Sequence, residues 1–173
     1  MPGSLLLVAF AWGFAEATFF FIVPDVCLTF IALANPKTAF QASFSALAAA
    51  LAGGCVMYAC GVWAPEAARS FLIRIPGIQG SLAGSVRSQL QTRGIVAILL
   101  GPLRGTPYKI YATEWGAVRR SFTGLLLISV PARYPRFLLS VLAAAALRGV
   151  VSPLVLGVAW LAFYGFYFWK FGW

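Results

Sequence analysis

Six ionisable side chains interrupt stretches of this chain that are otherwise as apolar as the interior of a lipid bilayer. They comprise two carboxylates and four cations: Glu16, Asp25, Arg104, Lys109, Arg133 and Arg136. The chain is 61% hydrophobic and 10% charged, with a mean hydropathy of +0.88. A soluble domain of 173 residues cannot bury so much apolar surface, so the composition predicts an integral membrane protein.

The charges within these apolar stretches predict a polar cavity. A charged side chain at the centre of a membrane helix is disfavoured by about 2.5–3.5 kcal/mol on insertion scales. Such residues therefore face the protein interior, pair with one another and mark a pathway for an ion or a substrate. Because cations outnumber carboxylates among the six, we expect the cavity to handle an anion.

The overall charge and composition exclude several classes of function. Thirteen Lys and Arg against four Asp and Glu give a net charge of +9, which suits cytoplasmic loops beside anionic lipids. The basic residues are not clustered on a polar domain, so we predict no nucleic-acid partner. The chain contains no His, and its three cysteines lack CxxC-type spacing, so we expect neither a metal nor a cofactor.

Hydropathy divides the chain into spans and interrupted segments. A membrane-spanning helix needs about 20 apolar residues. Residues 38–64, 121–147 and 152–169 form apolar segments of about this length, the second of which contains Arg133 and Arg136. Proline, glycine and charge interrupt the apolar segments 5–34 and 94–116, and residues 65–93 form the most polar stretch.

The two interrupted segments occupy equivalent positions in a weak twofold repeat. Pro24 precedes Phe40 by sixteen residues and Pro107 precedes Phe122 by fifteen, and each Phe lies near the start of a long span. Such paired segments point to a transport site between inverted repeats. The predicted fold is an all-α integral membrane protein with two inverted repeats, each a re-entrant broken-helix hairpin followed by a long transmembrane helix, plus a C-terminal transmembrane helix. Its parts are repeat one (about 5–64), a basic loop (65–93), repeat two (about 94–147) and the C-terminal helix (152–170).

Charge counting favours the re-entrant topology. If both interrupted segments are re-entrant, two basic residues, Lys37 and Arg148, oppose seven on the other face of the membrane: Arg69, Arg74, Arg87, Arg93, Arg119, Arg120 and Lys170. If both segments cross the membrane, four basic residues oppose five. Only the first arrangement obeys the positive-inside rule, so we expect residues 65–93 and the C-terminus in the cytoplasm.

Glu16 and Asp25 are candidates for proton coupling. A carboxyl group at low dielectric can take up and release protons near neutral pH. A hairpin turning between the two residues could bring them together. The structural alternative is that each carboxylate caps a broken helix or pairs with an arginine, and for Asp25, which follows Pro24, both readings stay open.

The four cations are candidates for binding a phosphate group. Arg133 and Arg136 lie three apart, on neighbouring positions of one helical face, and an arginine fork fits a phosphate or carboxylate bidentately. Internal pairing with Glu16 and Asp25 is the alternative, and it would leave two cations unmatched. An anionic ligand would balance them, as would a cation that reaches the membrane interface, for which Lys109 is the best candidate.

Four stretches of the chain resemble the DedA superfamily, also called the VTT or SNARE-associated domain family, and its YqaA-like branch. They are residues 16–26 (EATFFFIVPDV), 32–37 (ALANPK), 107–111 (PYKIY) and 133–137 (RYPRF). The chain departs from that branch at Phe21 and Val23, where prolines are usual, and at 104–106, where Thr-Pro-Ile is usual. Tyr134 and Pro135 replace smaller residues.

The resemblance implies two re-entrant hairpins, each followed by a long helix, and a function in lipid handling. Bacterial members of the superfamily resemble translocases of phospholipids or of polyprenyl phosphate linked to the proton-motive force, and eukaryotic relatives resemble lipid scramblases. We therefore expect a multi-pass protein of the bacterial inner membrane, not an enzyme, that moves an anionic lipid. A small-ion or solute transporter and a non-transport membrane scaffold are the alternatives, and a homodimer is left open.

Overall fold

The computed structural model describes residues 2–101 and 105–171. Within these ranges the chain forms nine α-helices and no β-strand. The helices are α1 (Pro2–Thr18), α2 (Asp25–Ala34), α3 (Pro36–Trp63), α4 (Pro65–Leu72), α5 (Ser81–Arg93), α6 (Ile95–Leu100), α7 (Tyr108–Ala117), α8 (Phe122–Ala146) and α9 (Pro153–Phe171). The all-helical prediction is confirmed. The segment 65–93, which we expected to be a loop, instead contains α4 and α5. Pro65 occupies the first position of α4, where proline favours helix formation. Helix α5 begins directly after Gly80.

Two helices, α3 and α8, are long and apolar enough to cross a membrane. Only 39% and 28% of their most apolar windows are buried inside the protein, whereas the core helix of a soluble protein would be mostly buried. Leu127 and Leu139 of α8 are 71% and 65% exposed, and Leu154 and Leu161 of α9 are 77% and 76% exposed. So much exposed apolar surface suits contact with lipid.

The long helices and the short ones begin with two different signals. At α3 the Asn35 side chain accepts a hydrogen bond from the Thr38 N–H at 3.1 Å, and at α8 the Ser121 side chain accepts one from the Gly124 N–H at 3.2 Å. The short helices α2 and α7 each follow a proline directly, Pro24 and Pro107. Proline is well tolerated at the start of a helix because it lacks an N–H that would be unpaired there, so Pro24 and Pro107 mark where the helix resumes after each turn.

The first interrupted segment is a helical hairpin whose tip lies beside the middle of α3. Helix α1 runs parallel to α3, since the Ser45 hydroxyl donates to the Leu6 carbonyl and Ala17 packs against Gly53. Helix α2 then returns to the start of α3. The tip, residues 19–24, therefore lies near Gly53, more than half-way along α3.

The second interrupted segment approaches α3 from its other end. Helix α7 runs parallel to α3, with Tyr108 against Gly54 and Thr113 against Gly61. Helix α6 begins near Arg120, which donates to the Leu90 carbonyl at 3.0 Å, and ends at Gly101 against Tyr111. Ala17, just before the first tip, and Tyr108, just after the second, thus approach Gly53 and Gly54, and the two hairpins come from opposite ends of α3.

Helix α9 lies against the first hairpin rather than in the core. The Trp160 indole N–H donates to the Thr29 hydroxyl at 3.1 Å, and the Val23 N–H donates to the Tyr164 hydroxyl at 2.9 Å. Near its end, the Phe168 ring meets the Phe21 ring edge to face at 4.9 Å. Helix α9 is not one of the two helices that qualify as spans.

Helices α3 and α7 pack backbone to backbone through glycine. A β-carbon on Gly116 would lie 2.2 Å from the Tyr58 carbonyl oxygen, and one on Gly61 would lie 2.0 Å from that of Thr113. Small residues allow such close approach between membrane helices. The second hairpin is therefore held at a fixed depth along α3.

This contact predicts that Gly116→Ala destabilises the protein while Gly84→Ala does not. The Gly116 methyl group would meet backbone, and overpacking costs about 1–3 kcal/mol. At Gly84, in α5, nothing lies within 4 Å of an added β-carbon, and alanine gains about 0.5–1 kcal/mol of helix propensity. Thermal unfolding of the purified variants would check this, and equal unfolding temperatures would contradict the packing.

Candidate functional site

The candidate site lies where the two hairpin tips face one side of α8. Glu16 comes from α1, Asp25 from α2 and Lys109 from α7, while Arg133 and Arg136 come from α8. The helix continues through Pro131 and Pro135. All of these candidates except Arg136 are buried. The sixth candidate, Arg104, lies outside the described residues.

Glu16 and Arg133 form a buried ion pair. The Arg133 Nη2 group donates to Glu16 Oε2, and the two side chains are 4% and 8% exposed. The guanidinium also lies over the Tyr108 ring, 4.6 Å from its centroid. Its Nε group has no hydrogen-bond partner among the described residues, so Arg133 retains a donor that an added acceptor could use.

Asp25 and Arg136 form a second pair, one turn further along α8. Arg136 Nη2 lies 3.0 Å from Asp25 Oδ2, and the Ser140 hydroxyl donates to Asp25 Oδ1 at 2.5 Å. Within the described part of the chain, Oδ2 accepts no hydrogen bond, so its contact with Arg136 is an ion pair without hydrogen-bond alignment. The Arg136 side chain is 41% exposed. Glu16 and Asp25 thus each contact a separate arginine.

Lys109, for which the sequence left open an anion-binding role or a place at the membrane interface, lies buried inside the protein. It is 2% exposed, and its Nζ group donates to the Phe20 carbonyl in the tip of the first hairpin. None of the ion pairs among the described residues includes Lys109. The ammonium group stays in the protein interior because the Phe20 carbonyl at the hairpin turn accepts a hydrogen bond there. Lys109 therefore bridges the two tips.

A cavity of about 180 Å³ lies between these groups. We call it the tip cavity. Three cations and one carboxylate line it: Lys109, Arg133, Arg136 and Glu16. Tyr164 and Tyr167 of α9 and residues 75–78 form its outer wall. The excess of positive charge suits an anion. In the part of the chain described, no three Cys, Asp or Glu residues come together as metal ligands would.

A further buried ion pair, Arg69–Glu114, was missed by the sequence analysis. Glu114 of α7 is fully buried and receives two hydrogen bonds from Arg69 of α4, at 2.6 and 2.7 Å. These hydrogen bonds raise the pKa of Arg69 above its usual value. Glu66 lies 2.5 Å from the same guanidinium on its exposed side. The signal was present, because Glu114 also interrupts an apolar segment, but Arg69 was assigned to a solvated loop.

Comparison with known proteins yields one weakly similar relative. The chain is 29% identical to an uncharacterized protein from Haemophilus influenzae over 127 residues, which are 73% of this chain. The matched region spans 65% of that relative's length. No protein-family profile matches the chain, and no solved structure matches it.

The Glu16–Arg133 pair predicts strong energetic coupling between its members. Arg133→Gln leaves a buried carboxylate without its partner, and breaking a buried pair in this way costs about 3–5 kcal/mol. Adding Glu16→Gln removes the uncompensated charge and should restore most of the loss. Thermal stability of the two single variants and the double variant in detergent would measure the coupling.

The matched control for this cycle is Arg148→Gln, which removes an exposed charge beyond the end of α8. Its stability should differ little from that of the wild type. Additive losses in the double variant would contradict a direct interaction between Glu16 and Arg133.

Proposed function

We propose that this protein is a membrane transporter of the DedA or VTT type, in its YqaA-like branch, that moves a phosphate-bearing lipid across the bacterial inner membrane. Polyprenyl phosphate and phospholipids are the substrates we consider. One observation carries the proposal: two hairpin tips meet at a buried cavity lined by three cations and one carboxylate. A partly open cationic site within an apolar protein suits the phosphate group of a lipid better than any catalytic chemistry of the residues present.

The helix directions support a re-entrant architecture. In the first hairpin, the outer ends of both helices lie near the start of α3. In the second hairpin, the outer ends of both helices lie near the end of α3. If α3 and α8 cross the membrane, each hairpin enters and leaves on one face. The two would then form inverted repeats, with their irregular turns lining a cavity rather than facing lipid.

The distribution of basic residues supports the proposed orientation. Helices α4 and α5, with Arg69, Arg87 and Arg93, lie at the end of the protein where α3 ends. Helix α9 ends towards residues 75–78, so Lys170 lies at this end too. Lys37 and Arg148 lie at the other end. We infer that the arginine-rich end faces the cytoplasm.

Proton coupling follows from competition for the arginines. In the structure Glu16 accepts a hydrogen bond from the Arg133 guanidinium, so an incoming phosphate must share that guanidinium with Glu16 or displace the carboxylate from it. Protonation of Glu16 removes its negative charge and leaves Arg133 to the phosphate. A proton and an anion therefore enter the cavity together, and Asp25 can act on Arg136 in the same way.

The bridge between the tips offers a mechanism for alternating access. The Lys109 ammonium group donates to a carbonyl of the opposite hairpin, so an anion that attracts Lys109 would weaken the contact between the two tips. One repeat could then rock against the other around the bound phosphate. We assign phosphate binding to Arg133, Arg136 and Lys109, with Arg104 as a further candidate, and proton coupling to Glu16 and Asp25.

A small-anion transporter is the second candidate, and the size of the tip cavity favours it. The cavity of about 180 Å³ is smaller than the pockets of about 300–1,000 Å³ that enclose whole drug-sized ligands. A free anion would fit there without a tail. This candidate predicts flux of inorganic phosphate without lipid movement.

The test is translocation in proteoliposomes of labelled polyprenyl phosphate and labelled phospholipid, with and without a pH gradient. Wild-type protein should move at least one lipid faster with the gradient. Arg133→Gln should slow this movement at least about tenfold, because it removes charge-assisted hydrogen bonds worth about 1.5–3 kcal/mol each. Glu16→Gln should abolish the dependence on the gradient.

Arg87→Gln is the matched control, since it neutralises an exposed arginine of α5 away from the cavity. Its transport should equal that of the wild type at matched folded protein. Movement independent of the gradient would indicate a scramblase, and flux of inorganic phosphate alone would favour the second candidate. If the folded wild type moved none of these substrates, the transport proposal would be refuted for them.

A further inference from the structure

A second, larger cavity adjoins the tip cavity and has the opposite character. We call it the outer groove; its volume is about 530 Å³. Apolar side chains make up most of its lining, including Phe21, Ile73, Ile75, Ile78 and Phe168, and Arg74 and Gln79 are the polar side chains. The two cavities share Phe21 and residues 75–78 as a common wall.

The common wall consists of the first hairpin tip and the connection between α4 and α5, and both contact α9. Residues 75–78 belong to the connection between α4 and α5, and Gly77 in this connection has a φ of +80° and touches Tyr167 of α9. The Phe21–Phe168 contact joins the first tip to α9. Ile75 and Ile78 of this wall are buried and belong to the hydrophobic cluster that also contains Tyr108 and Tyr111. Because the two cavities share this wall, the outer groove is the side on which a ligand could extend out of the tip cavity.

Size requires such an extension for any lipid. About 180 Å³ accommodates a phosphate group but no long chain, so the tail of a bound lipid must lie elsewhere. The outer groove is apolar, larger and shares a wall with the charged site. A ligand with an anionic head and one apolar chain matches the two cavities in both charge and polarity.

We infer that the outer groove binds one apolar chain of an anionic lipid whose phosphate occupies the tip cavity. This inference rests on the proposed function, since it assumes a phosphate in the tip cavity. In this arrangement Ile73 and Phe168 contact the apolar tail. The substrate is then a phosphate monoester or diester whose alkyl chain passes from the tip cavity to the outer groove between residues 75–78 and α9.

Binding of a chain-length series tests the inference without measuring transport. The full chain in maltoside micelles would be titrated calorimetrically with inorganic phosphate and with butyl, hexyl and octyl phosphate. A fully buried methylene group strengthens binding about fourfold. We expect about a tenfold gain from hexyl to octyl phosphate in the wild type, since burial in an open groove is incomplete.

The double variant Ile73→Ser/Phe168→Ser should reduce that gain to about threefold or less, because serine replaces apolar contact area in the groove. Its affinity for inorganic phosphate should stay unchanged, since neither residue lines the tip cavity. Leu161→Ser is the control: it changes an apolar residue of α9 that is 76% exposed and lines neither cavity. Partitioning of alkyl phosphates into micelles affects all three proteins equally.

The outcomes separate the two proposals. If the protein bound phosphate but its affinity did not rise with chain length, the tail site would be refuted and the phosphate site would remain. The same conclusion would follow if the rise in affinity were equal in the groove variant and the wild type. Failure of the folded wild type to bind phosphate or any alkyl phosphate would refute the phosphate site and the tail site together. Arg136→Gln should weaken binding of every member of the series.

Discussion

Two arginine–carboxylate pairs, Glu16–Arg133 and Asp25–Arg136, connect the first hairpin to α8, and the charged centre of the protein depends on them. A buried charge without a partner costs several kcal/mol, and a carboxylate lies opposite each of these two arginines. The helical spacing of Arg133 and Arg136 directs both towards the first hairpin, where Glu16 and Asp25 lie on either side of the turn. Lys109 extends the connection to the second hairpin through the Phe20 carbonyl.

The same pairing explains how a stable arrangement could also switch. Each arginine is satisfied by a carboxylate that a proton can neutralise, and each fits a phosphate group equally well. In the proposed cycle, a proton that neutralises the carboxylate and a phosphate that binds the arginine therefore act on the same ion pair. The Arg69–Glu114 pair lies away from the tip cavity, where it joins α4 to the second hairpin and fixes the structure rather than the substrate.

The sequence predicted the helical class, the two interrupted segments and the candidate charges because each depends on local features: hydropathy, proline and charge in an apolar run. It could not predict which carboxylate would contact which arginine, since Glu16 and Arg133 are 117 residues apart and meet only through the packing of α1 and α8. The contact of Lys109 could not be predicted either, because the Phe20 carbonyl that accepts its hydrogen bond is exposed only by the turn of the first hairpin. Glu114 was overlooked because its partner lies on an amphipathic helix that resembled a loop.

In the proposed architecture, the two hairpins enter from opposite faces of a membrane and meet inside it. Side-specific labelling of single cysteines, in a variant with Cys27, Cys55 and Cys60 replaced by alanine, tests it most directly. Cysteines at Gly3 and Lys37, at the outer ends of the first hairpin, should react from one side of oriented vesicles. Cysteines at Arg93 and Thr123, which flank the second hairpin, should react from the other side. Labelling of Gly3 and Lys37 from opposite sides would show that the first hairpin crosses the membrane and would contradict the account.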